Sequence, residues 1–164
     1  MDITSSLAPR SDQINADDLV AGPQTFTIRE VIGGKAEQPF DFLLVETERA
    51  FRPAVTMRRL IAAAWGVDAD QYVGRRLTVY RDPTIRFGKD VVGGVRISHM
   101  SGISERVEVK VQVTRGKREV FAVDPLPDLS PADLLRNEWK SATPERRVAI
   151  ESEVAELAAK DAAS

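Results

Sequence analysis

Hydrophobic and polar residues alternate along several short segments in the first three quarters of the chain. The segments 24–32 and 38–47 both alternate, and a Gly-Gly-Lys turn separates them, so together they predict a β-hairpin. A short third strand is expected at 51–54. Strong helix formers at 57–65, followed by Gly66, then predict a single α-helix.

Strand patterns predominate after this helix. The clearest alternation is at 106–114, where four valines face one side and Glu, Lys and Gln face the other. An Arg-Gly-Lys turn joins this segment to 119–123 and predicts a second hairpin. Three further short strands are predicted at 75–81, 85–92 and 95–98.

The C-terminal part of the chain has a different pattern. A proline-rich stretch at 124–129 predicts an extended linker. Ser130-Pro131 and Thr143-Pro144 each place an N-cap residue before a first-turn proline, which predicts two helices that end near residues 140 and 160. We expect these helices to pack on the strand-rich domain, and the alternative is a docking arm for a partner or for self-association.

These elements predict an α+β fold, an OB-like antiparallel β-barrel with an inserted helix, followed by a two-helix C-terminal tail. The predicted domains are a flexible N-terminal arm at 1–22, the barrel at 23–124, and the linker with the C-terminal helices at 125–164. A β-sandwich with a crossover helix is the competing architecture, because short antiparallel strands fit either layout.

Charge is distributed unevenly along the chain, although 23 basic and 25 acidic side chains give a net charge of only −2. Residues 72–121 contain 11 basic and 5 acidic side chains, whereas the segments before and after are both acidic. This asymmetry predicts a basic face that is built by the middle of the chain.

The chain has no cysteine, which excludes disulfides, thiolate nucleophiles and cysteine-based metal sites. The first residues form neither a basic region nor an apolar signal segment, and no apolar run reaches the ~18–20 residues that span a bilayer. The sequence therefore predicts a cytoplasmic protein with no membrane partner.

Few residues offer catalytic chemistry. The one histidine, His99, lacks the sequence context of a nucleophile elbow, and no phosphate-binding glycine loop occurs. Glu108-Val109-Lys110 with Gln112 matches the Glu-x-Lys element of metal-dependent nucleases, with Asp90 as a second candidate ligand. Alternation on a half-buried strand accounts for the same residues, so we predict no enzymatic activity, no metal and no cofactor.

The polar faces of three predicted strands bring basic and aromatic side chains together. When the apolar residues of each strand point inward, an arginine or tyrosine is exposed at the alternate positions. Guanidinium groups neutralise phosphates and aromatic rings stack on bases, so this face predicts binding of single-stranded DNA. The alternative is an ordinary solvated face. The candidate site residues are Arg76, Tyr80, Arg86 and Arg96 on the strands, Arg81 and Lys89 at the rim, and Phe51 and Arg52 from the first hairpin region.

A longer pattern in the same region resembles a known family. The chain reads Tyr72-Val-Gly-Arg-Arg-Leu-Thr-Val-Tyr80 and then Phe87-Gly-Lys-Asp-Val-Val-Gly-Gly-Val-Arg-Ile97, with Ile14-Asn-Ala-Asp-Asp-Leu19 before them. Over about residues 14–100 it resembles small early-region proteins of bacteriophages, which are similar in outline to OB-fold phage single-stranded DNA-binding proteins. The resemblance implies an OB-like domain in phage DNA replication or recombination. The positions it marks are Gly74, Arg76, Tyr80, Gly88, Lys89 and Arg96.

We therefore expect a non-enzymatic protein that binds single-stranded DNA with little sequence preference, in the host cell cytoplasm if it is phage-encoded. Further expected partners are a second copy of the chain and a phage or host replication protein that contacts the C-terminal helices. Two alternatives from other classes stay open. One is a protein-interaction or virion-structural module, and the other is the magnesium-dependent nuclease.

Overall fold

The computed structural model of the protein describes residues 11–87, 89–91 and 93–163. The strands are β1 (Gln24–Lys35), β2 (Gln38–Leu44), β3 (Arg76–Asp82), β4 (Arg86–Phe87), β5 (Asp90–Val91), β6 (Gly94–Met100), β7 (Val107–Thr114) and β8 (Lys117–Pro125). The helices are α1 (Val55–Trp65), α2 (Pro131–Trp139) and α3 (Pro144–Ala162), with 3-10 turns at Ala16–Leu19 and Ala69–Tyr72. Both predicted hairpins and the predicted helices are confirmed.

Six of the strands form one twisted sheet in the order β2-β1-β3-β6-β8-β7. Neighbouring strands are antiparallel except β6 and β8, which run parallel and pair only where His99 meets Asp124 and Met100 meets Pro125. Within the described ranges β7 does not pair with β2, so the sheet is open. The α+β class is confirmed, while the sheet lacks the closure of the predicted barrel.

The core is built by the strand residues whose alternation predicts burial. Leu77 and Val79 of β3 are fully buried, and Ile97 of β6 and Val123 of β8 are almost so. Helix α1 covers this layer, and four of its side chains are buried there because they recur at helical spacing. Burying each large side chain stabilises the fold by ~1.5–3 kcal/mol before conformational entropy is subtracted. The buried side chains of α1 are Met57, Leu60, Ile61 and Trp65.

Helix α1 also fills a gap in the sheet. Strands β6 and β8 pair only at His99 and Met100 of β6, so Ile97 has no partner residue on β8. The backbone N–H of Ile97 donates instead to the Met57 sulfur at 3.4 Å. The same helix packs on β7 and β8 as well as on β6. The sulfur thus replaces a strand partner for a buried amide, which would be costly to leave without an acceptor.

Two predicted strands are shorter in the structure. The segment expected at 51–54 makes only one bridge, between Phe51 and Phe42, because Pro53, two residues later, has no amide hydrogen to continue a ladder. The segment expected at 85–92 is divided into β4 and β5, two residues each, with a turn that includes Lys89.

The chain before β1 contributes to the core where the sequence predicts a loose arm. Ile14 and Leu19 are buried, and Gln13 bridges to Ala50. The 3-10 turn at Ala16–Leu19 begins with a capping box in which the Asp18 carboxylate accepts from the Asn15 amide at 2.8 Å. Residues 13–19 therefore pack against the core, with a helical turn before Val20, and the flexibility of the arm predicted at 1–22 stays a prediction; residues 1–10 lie outside the described part.

A second compact unit begins at Pro127. Ser130 and Thr143 accept hydrogen bonds from the amides of Asp133 and Arg146, so both predicted N-caps are confirmed. Helices α2 and α3 pack on each other, and Ile150 is the buried residue of α3. None of the helices in the described ranges is long and apolar enough to cross a membrane.

Candidate nucleic-acid interface

Strands β3 and β6 present a polar face opposite the core. Tyr80 lies across from Arg96, and Thr78 lies across from His99, because one extra residue in β6 shifts the register between these pairs. All four residues are half-buried. Alternation along β3 adds Arg76, so the structure brings three of the predicted site residues to one surface. We call this surface the polar sheet face: Arg76, Thr78, Tyr80, Arg96 and His99.

The guanidinium of Arg96 is held on two sides. Its Nε–H donates to Oδ2 of Asp82 at 2.8 Å, and its central carbon lies 4.5 Å from the centroid of the Phe121 ring. Burial alone would raise the pKa of Asp82, but hydrogen bonds from Thr84 and Arg96 together lower it below its ordinary value. Arg96 is therefore a fixed, planar donor beside two aromatic rings.

A cleft of about 470 Å³ opens beside this guanidinium, where β6 and β8 separate. Met57 and Leu60 of α1 lie at its apolar side, and Tyr80 and Phe121 contribute aromatic rings. Its lining includes two acidic and two basic side chains, so the cleft has no net charge of its own. We call it the β6–β8 cleft. Its charged lining residues are Asp82, Arg96, Arg106 and Glu119.

The β7–β8 hairpin supplies positive charge that the sequence reasoning missed. The register places Lys110 opposite Val120 and Gln112 opposite Arg118, while the turn adds two further cations. All four cations are exposed, and none forms an ion pair with another residue of the described ranges. We call them the basic hairpin: Lys110, Arg115, Lys117 and Arg118.

The basic hairpin continues the polar sheet face. His99 pairs with Asp124 in parallel register, so the two side chains point to the same side of the sheet. Alternation along β8 then places Arg118 on that side, and the β7–β8 pairing adds Lys110. The turn by itself would pair Gln112 with Glu119, and the register shift between Gln112 and Thr114 moves Gln112 opposite Arg118, so the sequence alone does not predict that Lys110 and Arg118 share a face.

Phe51 and Arg52 are not available to a ligand, which corrects their prediction as site residues. The Phe51 ring is 2% exposed and meets Phe42 edge-on, so no base can stack on it. Arg52 donates to Asp12 and Asp41 at 2.7 Å each. Its hydrogen bonds lower the pKa of both carboxyls, and the two carboxylates raise the pKa of Arg52. Arg52 is thus a structural cross-link.

The predicted rim of the site is also revised. Arg81 pairs with Val95 and points to the opposite side of the sheet from Tyr80, so its placement on the same surface is wrong. The alternation along β3 already implies this result. Lys89 is exposed in the turn between β4 and β5. The side chain of Arg86 and the residue Gly88 lie outside the described part of the structure.

The nuclease element lies on the exposed side of β7. Glu108 faces Ala122 across the hairpin and accepts from Arg106 Nε at 3.3 Å. Across the described ranges, no group of three histidine, cysteine or acidic residues is placed to hold a metal ion. Nδ1 of His99 lies 2.9 Å from the Ser98 hydroxyl. The geometry therefore adds no support to the nuclease alternative.

Comparison of the chain with protein-family models, with curated proteins and with solved structures finds no match. The similarity to phage early-region proteins consequently stays a prediction from the sequence motifs. Any assignment of function has to come from the geometry and charge of the polar sheet face, the β6–β8 cleft and the basic hairpin.

Proposed function

We propose that this protein binds single-stranded DNA, without enzymatic activity and with little sequence preference, through the polar sheet face and the basic hairpin. The observation that supports this most is that the register places Lys110 and Arg118 on the same face as Tyr80 and the fixed Arg96, and that these two exposed cations have no acidic partner among the described residues. The cations neutralise successive phosphates, while Tyr80 and the Arg96 guanidinium offer flat surfaces on which bases stack.

The fold is compatible with this role as an OB-like module. OB domains are small, partly open barrels of strongly twisted strands that bind oligonucleotides on one sheet face and its adjoining loops. In this chain an open antiparallel sheet has one parallel strand contact, and α1 fills the gap that this contact leaves. The proposed ligand surface likewise combines a sheet face with a hairpin at its edge.

The setting we propose is phage DNA replication or recombination in the cytoplasm of the host cell. Its support is the motif resemblance over about residues 14–100. Two arginines and one tyrosine that the resemblance marks, Arg76, Arg96 and Tyr80, share the polar sheet face. A strand-coating role needs neither a metal nor a nucleophile, which agrees with the small catalytic inventory of the sequence.

The direct test is fluorescence anisotropy with a labelled oligo(dT) of about 30 nucleotides and a matched duplex, titrated with the full chain at two salt concentrations. Binding that favours the single strand and weakens steeply with salt is the expected result. Equal affinity for duplex and single strand, or no binding at tens of micromolar protein in low salt, would contradict the proposal.

Two variants locate the surface. Lys110→Glu with Arg118→Glu reverses two exposed charges of the basic hairpin and is expected to reduce affinity at least tenfold with little change in stability. The matched control is Lys35→Glu with Lys140→Glu, which makes the same charge change at exposed residues that belong neither to the basic hairpin nor to the polar sheet face. Loss of affinity in both double variants would indicate a general charge effect and reject this surface.

A protein-interaction module is the second candidate, and the helical unit favours it. Leu134 and Val148 are 55% and 68% exposed there, and Trp139 is 40% exposed. Apolar side chains at this exposure are typical of helices that bind a partner. Light scattering that shows a large assembly, in a protein without affinity for the oligonucleotide, would favour this candidate.

A further inference from the structure

An apolar groove lies between β2 and α1, distinct from the proposed nucleic-acid surface. It has a volume of about 330 Å³ and is lined by aromatic and aliphatic side chains. Phe42 and Ile61 form its buried floor, while Phe40, Val55 and Val67 at its edges are 45%, 54% and 90% exposed. Apolar side chains that cluster around a concave surface mark a binding site more often than scattered ones do.

The charged side chains that line this groove are both positive. Arg58 and Arg59 are its charged lining residues, and neither forms an ion pair within the described ranges. Helix α1 begins at Val55, beside the groove, without a side-chain cap and without an acidic residue in its first turn. Its unsatisfied amides and its dipole add positive potential at that end.

We infer that the β2–α1 groove binds a short, acidic, amphipathic helix of a partner protein. The apolar face of that helix would cover Phe40, Val55 and Val67, and its carboxylates would pair with Arg58 and Arg59. The volume is at the lower end of ligand pockets and matches a few side chains better than a large cofactor. The groove lining offers few polar groups for the edges of bases, so a nucleic acid is a poor fit.

The geometry also gives the partner helix a direction. Asp68 follows Val67 at one end of the groove, and its carboxylate accepts from the Asp70 amide at 3.1 Å. Acidic residues of the partner are repelled from that end and attracted to the opposite end, where α1 begins. The partner's carboxylates therefore belong near Val55 and Arg58, and its apolar end belongs near Val67.

The test uses two pairs of labelled peptides of about 12 residues, with leucine or phenylalanine anchors at helical spacing. Within each pair, one peptide has glutamate at every polar position and its twin has lysine at the same positions. We expect at least one glutamate peptide to bind the full chain, its lysine twin to bind at least tenfold more weakly, and Arg58→Glu with Arg59→Glu to abolish binding. Equal binding of both twins, or no binding of either glutamate peptide at 100 µM, would overturn the inference.

Val55→Asp separates a binding effect from a folding effect. An aspartate in the first turn of a helix is favourable, so α1 should keep its stability while the new charge repels the acidic peptide. Val20→Asp, the same substitution at an exposed position outside the groove lining, should leave binding intact. Retained peptide binding by Val55→Asp would reject the groove.

Two further measurements distinguish this inference from the proposed binding of DNA and from self-association of the chain. Val55→Asp should keep the affinity for oligo(dT), because the groove does not include the basic hairpin, so failure of one proposal does not decide the other. Light scattering tests the other possible occupant of the groove, a second copy of the chain. A dimer that dissociates in the Arg58→Glu, Arg59→Glu variant would assign the groove to a second copy of the chain and overturn the inference.

Discussion

The guanidinium of Arg96 lies over the ring of Phe121, 4.5 Å from its centroid, and joins two strands that do not pair at this point. The contact spans the gap between β6 and β8, beside Met57 and Leu60 of α1, which line the same cleft. Because Arg96 also donates to Asp82, its orientation depends on an aromatic ring and a carboxylate together. One side chain therefore contributes to both the architecture and the proposed ligand surface.

Arg96→Lys should separate charge from geometry. Lysine keeps the positive charge but loses the planar stack and the Nε–H bond, which together contribute about 1–2 kcal/mol to stability. We expect that loss in urea denaturation, together with a several-fold weaker affinity for oligo(dT) by anisotropy. Arg118→Lys, on the exposed hairpin, is the control and should change neither quantity. Unchanged affinity in Arg96→Lys would mean that Arg96 contributes only its charge.

Two adjacent glycines in β1 differ in what they tolerate. A Cβ added at Gly34 would collide with the backbone carbonyl oxygen of Gln38, whereas one added at Gly33 meets nothing within 4 Å. Gly34→Ala should therefore destabilise the β1–β2 hairpin by ~1–3 kcal/mol, while Gly33→Ala stays within ~0.5 kcal/mol of the wild type. Urea denaturation of the two variants side by side measures the difference. Equal midpoints would show that the hairpin relaxes around the new methyl group.

Alternation in the sequence predicts which residues of β3 are buried, but not those of β6, where the extra residue between Ile97 and His99 lets both Ile97 and Met100 face the core. It placed Leu77 and Val79 inward and Tyr80 outward, because a strand that packs one face on a core must follow a period of two. The same rule places Arg81 on the opposite face from Tyr80, because register and not charge decides the face of a strand residue.

Contacts between distant segments could not be predicted in this way. Arg52 binds carboxylates 11 and 40 residues away, and no local pattern shows that these three side chains meet. Phe51 is buried because its backbone bridges to Phe42, although its neighbours in sequence are charged or small. The parallel contact of β6 with β8 is likewise a property of the assembled sheet, and it decides that the basic hairpin extends the polar sheet face.

The pH dependence of stability should identify Arg52 as a structural cross-link. Its hydrogen bonds lower the pKa of Asp12 and Asp41 below the ordinary value of 3.8 in the folded state. In acid the unfolded chain then binds more protons than the folded one, so the stabilisation is complete above about pH 5 and is lost as the pH falls through 3.8 and below.

Arg52→Met tests this relation. We expect it to lower the free energy of unfolding by ~1.5 kcal/mol at pH 7 through the lost bonds to Asp41, because the side chains of Arg52 and Asp41 are both 16% exposed, whereas that of Asp12 is 79% exposed and adds little. The difference from the wild type should shrink steadily between pH 5 and pH 3, because protonated carboxyls no longer need the arginine. Urea midpoints at several pH values measure it, and affinity for oligo(dT) at pH 7 should not change. A difference in the free energy of unfolding between wild type and variant that stays constant down to pH 3 would contradict the role of Arg52 as a cross-link.

The salt dependence of binding counts the phosphates that the basic hairpin contacts. Each cation that neutralises a phosphate of a single strand contributes ~−0.7 to the slope of log affinity against log salt concentration. Lys110→Ala with Arg118→Ala removes two exposed cations that the register places on the same face, so the slope should become less steep by about 1.4. Lys35→Ala with Lys140→Ala is the matched control and should leave the slope unchanged. If affinity falls but the slope does not, the hairpin acts by shaping the surface, and the phosphate contacts belong to other residues.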